Sequence, residues 1–287
     1  MRIVKILFFL VLFSNCFILF SQTNPAKVEL ISGSYKLDAK FYSTSKKDHS
    51  PAIILLHGFP GNQTSPLDLA EKLNAAGFNI LVFNFQGSYL SEGDFSFDNC
   101  INNVEAAIHF LKNSENQGKY NIDTSRIIVC GYSFGGAIAL ESAIHNNEIK
   151  NIISIANDDH SVSIKKSTTD LEFRNGYQQF IAKSFGPDGP FRGDLKAALD
   201  YNIANVDRYD LVKNADKLKD RRILFIVGWQ DNTCPLEVTT LPLYRKLAQL
   251  KVGNVAIKGF ESDHRFNNVR DDLANTITDW INKQNAL

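Results

Sequence analysis

Charge of one sign is what this sequence most plainly lacks: 31 basic and 31 acidic side chains leave a formal net charge of zero. That balance offers nothing to nucleic acid or to an anionic membrane, either of which calls for a basic excess. Internal repeats and low-complexity tracts are also absent, so nothing points to a repeat array or a long linker. Cysteine is scarce, with four in 287 residues. Cys100, Cys130 and Cys234 have the spacing of no metal or redox motif, and they read as buried thiols with at most one disulfide among them. Long apolar runs are missing as well, with one exception at the start.

There, Arg2 and Lys5 precede a run from Ile6 to Phe20 in which only Ser14 and Asn15 are polar, and SQTNP follows. A spanning helix needs about 20 apolar residues, so the segment is short for a permanent anchor. A basic start, a short apolar stretch and a polar exit read as a secretory signal over residues 1–22, with the protein exported to the periplasm or beyond. No A-x-A site fixes the cleavage position, which falls near residues 20–24. Acylation of Cys16 is the weaker alternative, because Phe13 and Asn15 stand where lipoprotein signals usually hold leucine and a very small residue. What is left, residues 23–287, is expected to form one domain.

Along that domain short apolar runs alternate with helical patterns, which argues for parallel strands joined by crossover helices. PAIILLHGF, FNILVFNF, RIIVC, KNIISIA, RRILFIVG and NVAIKGF carry the strands. Residues 65–78 and 100–113 show apolar positions at helical spacing, and residues 27–43 alternate as an antiparallel hairpin would. The fold class is therefore α/β, a mostly parallel central sheet with flanking helices. Residues 157–220 carry no strand pattern and are too many for a simple connection, so they are expected to form a helical cap inserted between two strands. Most of its aromatic residues (Phe173, Tyr177, Phe180, Phe185, Phe191, Tyr201 and Tyr209) are expected to hold the cap together rather than to line a pocket.

Three glycines crowd Ser133 in IIVCGYSFGGAIAL. Gly131-Tyr132-Ser133-Phe134-Gly135 follows an apolar strand and opens a helix, the context of a nucleophile elbow. A serine presented above a sheet on so sharp a turn leaves no room for side chains two residues either side. Gly131 and Gly135 relieve that crowding, and Gly136 lets the helix approach the sheet.

With these pieces in place the chain resembles the α/β-hydrolase superfamily over nearly its whole length after the leader. His57-Gly58-Phe59-Pro60-Gly61 looks like the family's oxyanion loop, and Asn84 to Gly93 looks like its RGxGxSxG loop, with Gln86 where arginine is common. Asp123-Thr124-Ser125-Arg126-Ile127 is similar to the lead-in of secreted esterases, dienelactone-hydrolase-like proteins and prolyl-oligopeptidase catalytic domains. The resemblance implies a triad in the order Ser, Asp or Glu, His. It makes Ser133 the nucleophile, His264 in ESDHRF the base, and Asp231 in GWQDNTCP the orienting acid, with Asp158, Asp159 and Asp263 as rivals for that last role. The backbone N–H groups of Phe59 and Phe134 are the implied oxyanion donors. His57 is expected to shape its loop, and His49, His109, His145 and His160 to be surface or helical residues without a role.

The expectation that follows is a secreted serine hydrolase cleaving carboxylic esters through an acyl-enzyme, with no metal or organic cofactor. Its substrate would be a small-molecule ester or a short peptide, with no nucleic-acid partner and no stable membrane span. A prolyl-oligopeptidase-like peptidase is the rival, disfavoured because no propeller-sized domain precedes the catalytic segment. A ligand-binding protein of the same fold without catalysis is the third reading. Oligomeric state is not legible in the sequence.

Overall fold

The structure, a computed structural model, describes residues 24–46, 48–64 and 66–283. The leader reading at residues 1–22 and Cys16 lie outside the described residues. Eight strands form one sheet in the order β1-β2-β4-β3-β5-β6-β7-β8. β1 (Ala26–Ser32) and β2 (Tyr35–Tyr42) make the expected antiparallel hairpin, and β2 runs antiparallel to β4 (Asn79–Phe83). From β4 onward every pairing is parallel, through β3 (Ser50–Leu56), β5 (Ile122–Tyr132), β6 (Asn151–Ile155), β7 (Arg222–Gly228) and β8 (Val255–Phe260).

The near-continuous apolar runs of the central strands follow from burial on both faces. Alternate residues feed two cores: Ile54, Leu81, Val129 and Phe225 on one side of the sheet, and Ile53, Ile80, Ile128 and Leu224 on the other. The first core is covered by α2 (Phe97–Lys112), which runs into α3 (Ser114–Tyr120), and by α4 (Phe134–His145). The second is covered by α1 (Leu69–Ala75), which starts later than its apolar spacing suggests because Leu67 and Asp68 are left-handed, each at φ 56°. Cys100, Cys130 and Cys234 are free and buried. Among the described residues no helix is long and apolar enough to cross a membrane.

Between β6 and β7 lies the cap: α5 (His160–Thr169), α6 (Leu171–Phe185), α7 (Leu195–Ala204) and α8 (Val206–Tyr209). After β7 come α9 (Leu236–Thr239) and α10 (Leu241–Gln249), and α11 (Arg270–Asn282) follows β8 and completes the second core. The cap is fastened to α2 through Asp98, whose carboxylate accepts from Tyr201 Oη at 2.9 Å, Arg208 Nε at 2.8 Å and Tyr209 Oη at 3.1 Å.

A second fastening corrects the sequence reading of His160 as a residue without a role. It is buried at the start of α5, with its ring 4.4 Å from that of Phe97 and 4.6 Å from that of Phe134. Its Nδ1 lies 3.0 Å from Oε1 of Glu141, which is fully buried on α4. The approach is oblique, so ion pairing rather than a linear hydrogen bond joins the two. Burial alone would strip the imidazole of its proton, but the Glu141 carboxylate outweighs burial and raises the pKa.

At the β5–α4 junction the glycines are sterically required. A Cβ on residue 131 would lie 1.9 Å from Gly135 O, and one on residue 135 would lie 2.6 Å from His57 O.

Gly131→Ala should destabilise the protein by more than about 2 kcal/mol, because the obstacle is backbone and cannot rotate away. Gly118→Ala in α3, where nothing lies within 4 Å, should be neutral or stabilising by about 0.5–1 kcal/mol in the same denaturant titrations. Glu141→Gln should cost about 3 kcal/mol at pH 6 by leaving His160 without its counter-charge. A raised folded-state pKa for histidine gives stability that is complete below about pH 6.5 and fades as pH climbs through the folded value. The gap between wild type and Glu141→Gln should therefore narrow as pH rises above about 6.5, and a gap that is constant or widens would show that His160 is not charged.

Candidate active site

The parallel strands end at one edge, and the loops leaving them supply every polar group of the site. Ser133 sits at φ 55°, ψ −119°, outside the conformations a serine ordinarily adopts. Its N–H donates to Ile155 O at 2.8 Å, and its own carbonyl accepts from Gly136 N at 2.8 Å. The strained residue is thus pinned on one side by β6 and on the other by the first turn of α4.

Asp231 follows β7 and is almost completely buried. Its Oδ1 accepts from Thr233 N at 2.9 Å and Cys234 N at 2.8 Å, which leaves Oδ2 aimed at His264. The β7 and β8 loops are tied together by Trp229 N donating to Phe260 O at 2.9 Å and Gln230 N to Ser262 O at 3.0 Å. His264 Nδ1 meets Asp231 Oδ2 at 2.7 Å, and its Nε2 lies 3.1 Å from Ser133 Oγ. An ionised carboxylate can only accept, so Nδ1 carries the hydrogen and Nε2 is left to accept from the hydroxyl.

The rivals of Asp231 are engaged differently. Asp159 caps α5, accepting from Ser161 N at 3.0 Å and Ser161 Oγ at 2.8 Å, and burial raises its pKa to about 6. Asp263 accepts from Arg265 N at 2.9 Å, within its own loop. Asp158 lines the cavity and does not meet His264.

The loop after β3 closes the other side. A Cβ on Gly58 would come within 3.3 Å of Ser133 Cβ, so this loop abuts the nucleophile elbow directly. His57 is buried and its Nδ1 donates to Gly58 O at 2.8 Å; burial lowers its pKa to about 4, so it is a neutral, structural residue. Phe134 N–H, in the first turn of α4, and Phe59 N–H donate to no acceptor among the described residues. Among these residues no group of His, Cys, Asp and Glu is placed to hold a metal ion.

Sequence reasoning missed one support. Tyr132 Oη donates to His264 O at 3.1 Å, and its ring lies 5.1 Å from the imidazole, bracing it from the side. Position x of a G-x-S-x-G motif carries no signal for this, because the contact is made across 131 or more residues of chain.

Beneath the cap the site opens into a cavity of about 840 Å³, within the range that buries a small organic ligand. Here the expectation about the cap aromatics is corrected: Phe173, Tyr177, Phe180 and Phe185 all line it, opposite Phe59, Phe95 and Phe134. They do so because α6 lies across the strand ends with one face turned down. Phe191, Tyr201 and Tyr209 do serve the cap's attachment instead.

Several known proteins are similar to this chain in sequence or in fold. The chain is 28% identical to the quorum-quenching protein AidA of Acinetobacter baumannii over 135 residues, 45% of this chain and 43% of that one. It thus spans less than half the length of that curated relative. In fold it is similar to the Pyrococcus furiosus esterase Pf2001, with a TM-score of 0.66 at 15% identity, covering 91% of this chain and 92% of that one. It is likewise similar to Est1E from Butyrivibrio proteoclasticus with ferulic acid bound, with a TM-score of 0.67 at 17% identity, covering 91% and 100%. Residues 51–274 match the family described as alpha/beta hydrolase fold, and the chain, with its parallel sheet, its elbow and its cap, belongs to that family.

Proposed function

We propose that this protein is an exported serine hydrolase that cleaves carboxylic esters of small molecules bearing a bulky apolar or aromatic part. One observation carries the reading: the unbroken contact chain from Asp231 Oδ2 through His264, at 2.7 and 3.1 Å, to Ser133 Oγ. A serine hydroxyl is a poor nucleophile without an adjacent base, and here the base lies within reach in the tautomer the task requires.

In this mechanism Ser133 Oγ attacks the ester carbonyl carbon as its proton passes to His264 Nε2. Asp231 stabilises the imidazolium that forms and keeps the ring in register. Charge gathers on the former carbonyl oxygen, where the unengaged N–H groups of Phe59 and Phe134 receive it. Collapse of the tetrahedral intermediate breaks the ester C–O bond, and His264 returns the proton to the departing alcohol. Water then attacks the acyl-enzyme with His264 again as base, releasing the acid and restoring Ser133.

The aromatic walls favour an apolar substituent next to the carbonyl, since rings that close over such a group remove it from water. Among the solved structures it is similar to in fold, one is described as an esterase and another holds ferulic acid, an aromatic acid. The basic start and apolar run over residues 6–20 support the placement outside the cytoplasm.

A fluorophosphonate probe should label the wild-type protein and not Ser133→Ala, and equal labelling of the two would remove Ser133 from the reaction. Asp231→Asn should keep the fold and lower kcat on the order of 10³- to 10⁴-fold, because the amide can hold the wrong tautomer of His264. p-Nitrophenyl esters should be turned over at least a hundredfold faster than chromogenic aminoacyl amides under the same conditions. The reverse preference would favour the peptidase reading.

A further inference from the structure

The loop after β6 sets three polar side chains in a row beneath the cap, and two of them have clear structural work. Asn157 Nδ2 donates to Thr239 O at 2.6 Å, and Asp159 caps α5. Asp158 stands between these two anchored residues. It lines the cavity, half-buried, and among the described residues no hydrogen-bond donor reaches its carboxylate; the His160 cation feels its charge, but shares that attraction with Glu141 and Asp159. Its charge adds to burial in pushing up the Tyr177 phenol and the Cys234 thiol. The Cys234 thiol is itself within hydrogen-bonding reach of Ser133, so this carboxylate shares the nucleophile's space.

The cations of the neighbourhood are committed elsewhere. His160 is paired with Glu141 at 3.0 Å, Lys165 with Asp210, and Lys166 lies over the Phe173 ring at 4.5 Å from its centroid. Arg265 lines the cavity only as an exposed residue of the His264 loop. A half-buried carboxylate that no donor meets directly, with only a share of the His160 charge, in a cavity lined in part by aromatic rings, is stabilised further when a ligand brings a positive charge. Tyr177 lines the same cavity, stacked on Phe173 with 5.8 Å between centroids and 12° between planes, which fixes the ring. A fixed aromatic ring and an unpartnered carboxylate are the two elements that hold an alkylammonium.

We propose that Asp158 and Tyr177 form a subsite for a protonated amine on the substrate, so that the esters this protein prefers are cationic. The proposal rests on the esterase reading of Ser133 and narrows its substrate class.

The test uses matched substrates that differ in one terminal group: 4-nitrophenyl esters of heptanoic, 6-hydroxyhexanoic and 6-ammoniohexanoic acids. Heptyl butyrate and 6-ammoniohexyl butyrate form the corresponding pair on the alcohol side. Each is assayed with wild type and Asp158→Asn. In at least one series kcat/KM for the ammonium ester should exceed that of its methyl-terminated partner tenfold or more, and Asp158→Asn should abolish that ratio. Calorimetric titration with hexylammonium and with hexanol reads the same subsite without turnover. Tighter ammonium binding, lost in Asp158→Asn, supports it. Ratios that Asp158→Asn leaves unchanged in both series and in the titration overturn the proposal, and so does a gain no larger for ammonium than for hydroxyl. If no ester is cleaved yet hexylammonium binding depends on Asp158, the esterase reading falls and the subsite stands. If neutral esters are cleaved with no Asp158-dependent preference, the subsite falls alone.

Discussion

The site depends on one close approach of backbone to backbone, where β5 turns into α4. Ser133 is held at a positive φ that serine disfavours, and the turn survives because its neighbours overdetermine it. The hydrogen bond from Ser133 N to Ile155 O makes Ser133 an extension of the β5–β6 pairing rather than part of a free loop. The same contact explains why the site is insulated from its own helix. Ser133 Oγ makes no capping bond to α4, so the hydroxyl is left for His264.

From that fixed point the direction of the strands does the rest. β3, β5, β6, β7 and β8 are parallel, so the loops that follow them emerge at one edge of the sheet. Ser133 and His264 are 131 residues apart, and His264 and Asp231 33 apart, yet each pair is in hydrogen-bonding contact. Rigid strands let the two loops after β7 and β8 hold an imidazole to within hydrogen-bonding distance of its partners. Asp231 saturates one oxygen with backbone donors and keeps the other for the ring, and Tyr132 braces the ring from the elbow itself.

What the sequence made legible was whatever has a local cause. The elbow is written in adjacent residues, because glycine at 131 and 135 answers clashes within the turn. The central strands are written as apolar runs because both faces of the sheet are covered. Asp231 and His264 became readable only through the chain order implied by resemblance, since nothing local marks an aspartate that points at a distant histidine. The pairing of His160 with Glu141 was opaque for the same reason. Each looks like an ordinary helical polar residue until α5 is laid on α4. The cap's rings could not be sorted into walls and fasteners from spacing, because the sorting depends on which way α6 turns over the strand ends. α10 and α11 do have a local cause, since Leu243 and Leu247, and Leu273, Ile277 and Ile281, are buried at helical spacing.

Asp158 and Asp231 show how one residue type at the end of neighbouring strands comes to do different things. Both leave the same edge of the sheet, and both were candidates for the same role in the sequence. Asp231 is ringed by donors, two backbone N–H groups and an imidazole, so its charge is stabilised from within the fold and can orient a base. Asp158 lines the cavity with no hydrogen-bond donor among the described residues and only a share of the His160 charge, so further stabilisation of its charge is left to whatever enters the cavity. The scaffold supplies the first environment and the cap the second. A change of cap sequence could therefore alter what is bound without disturbing the contacts among Ser133, His264 and Asp231, which are made by loops on the strands beneath it.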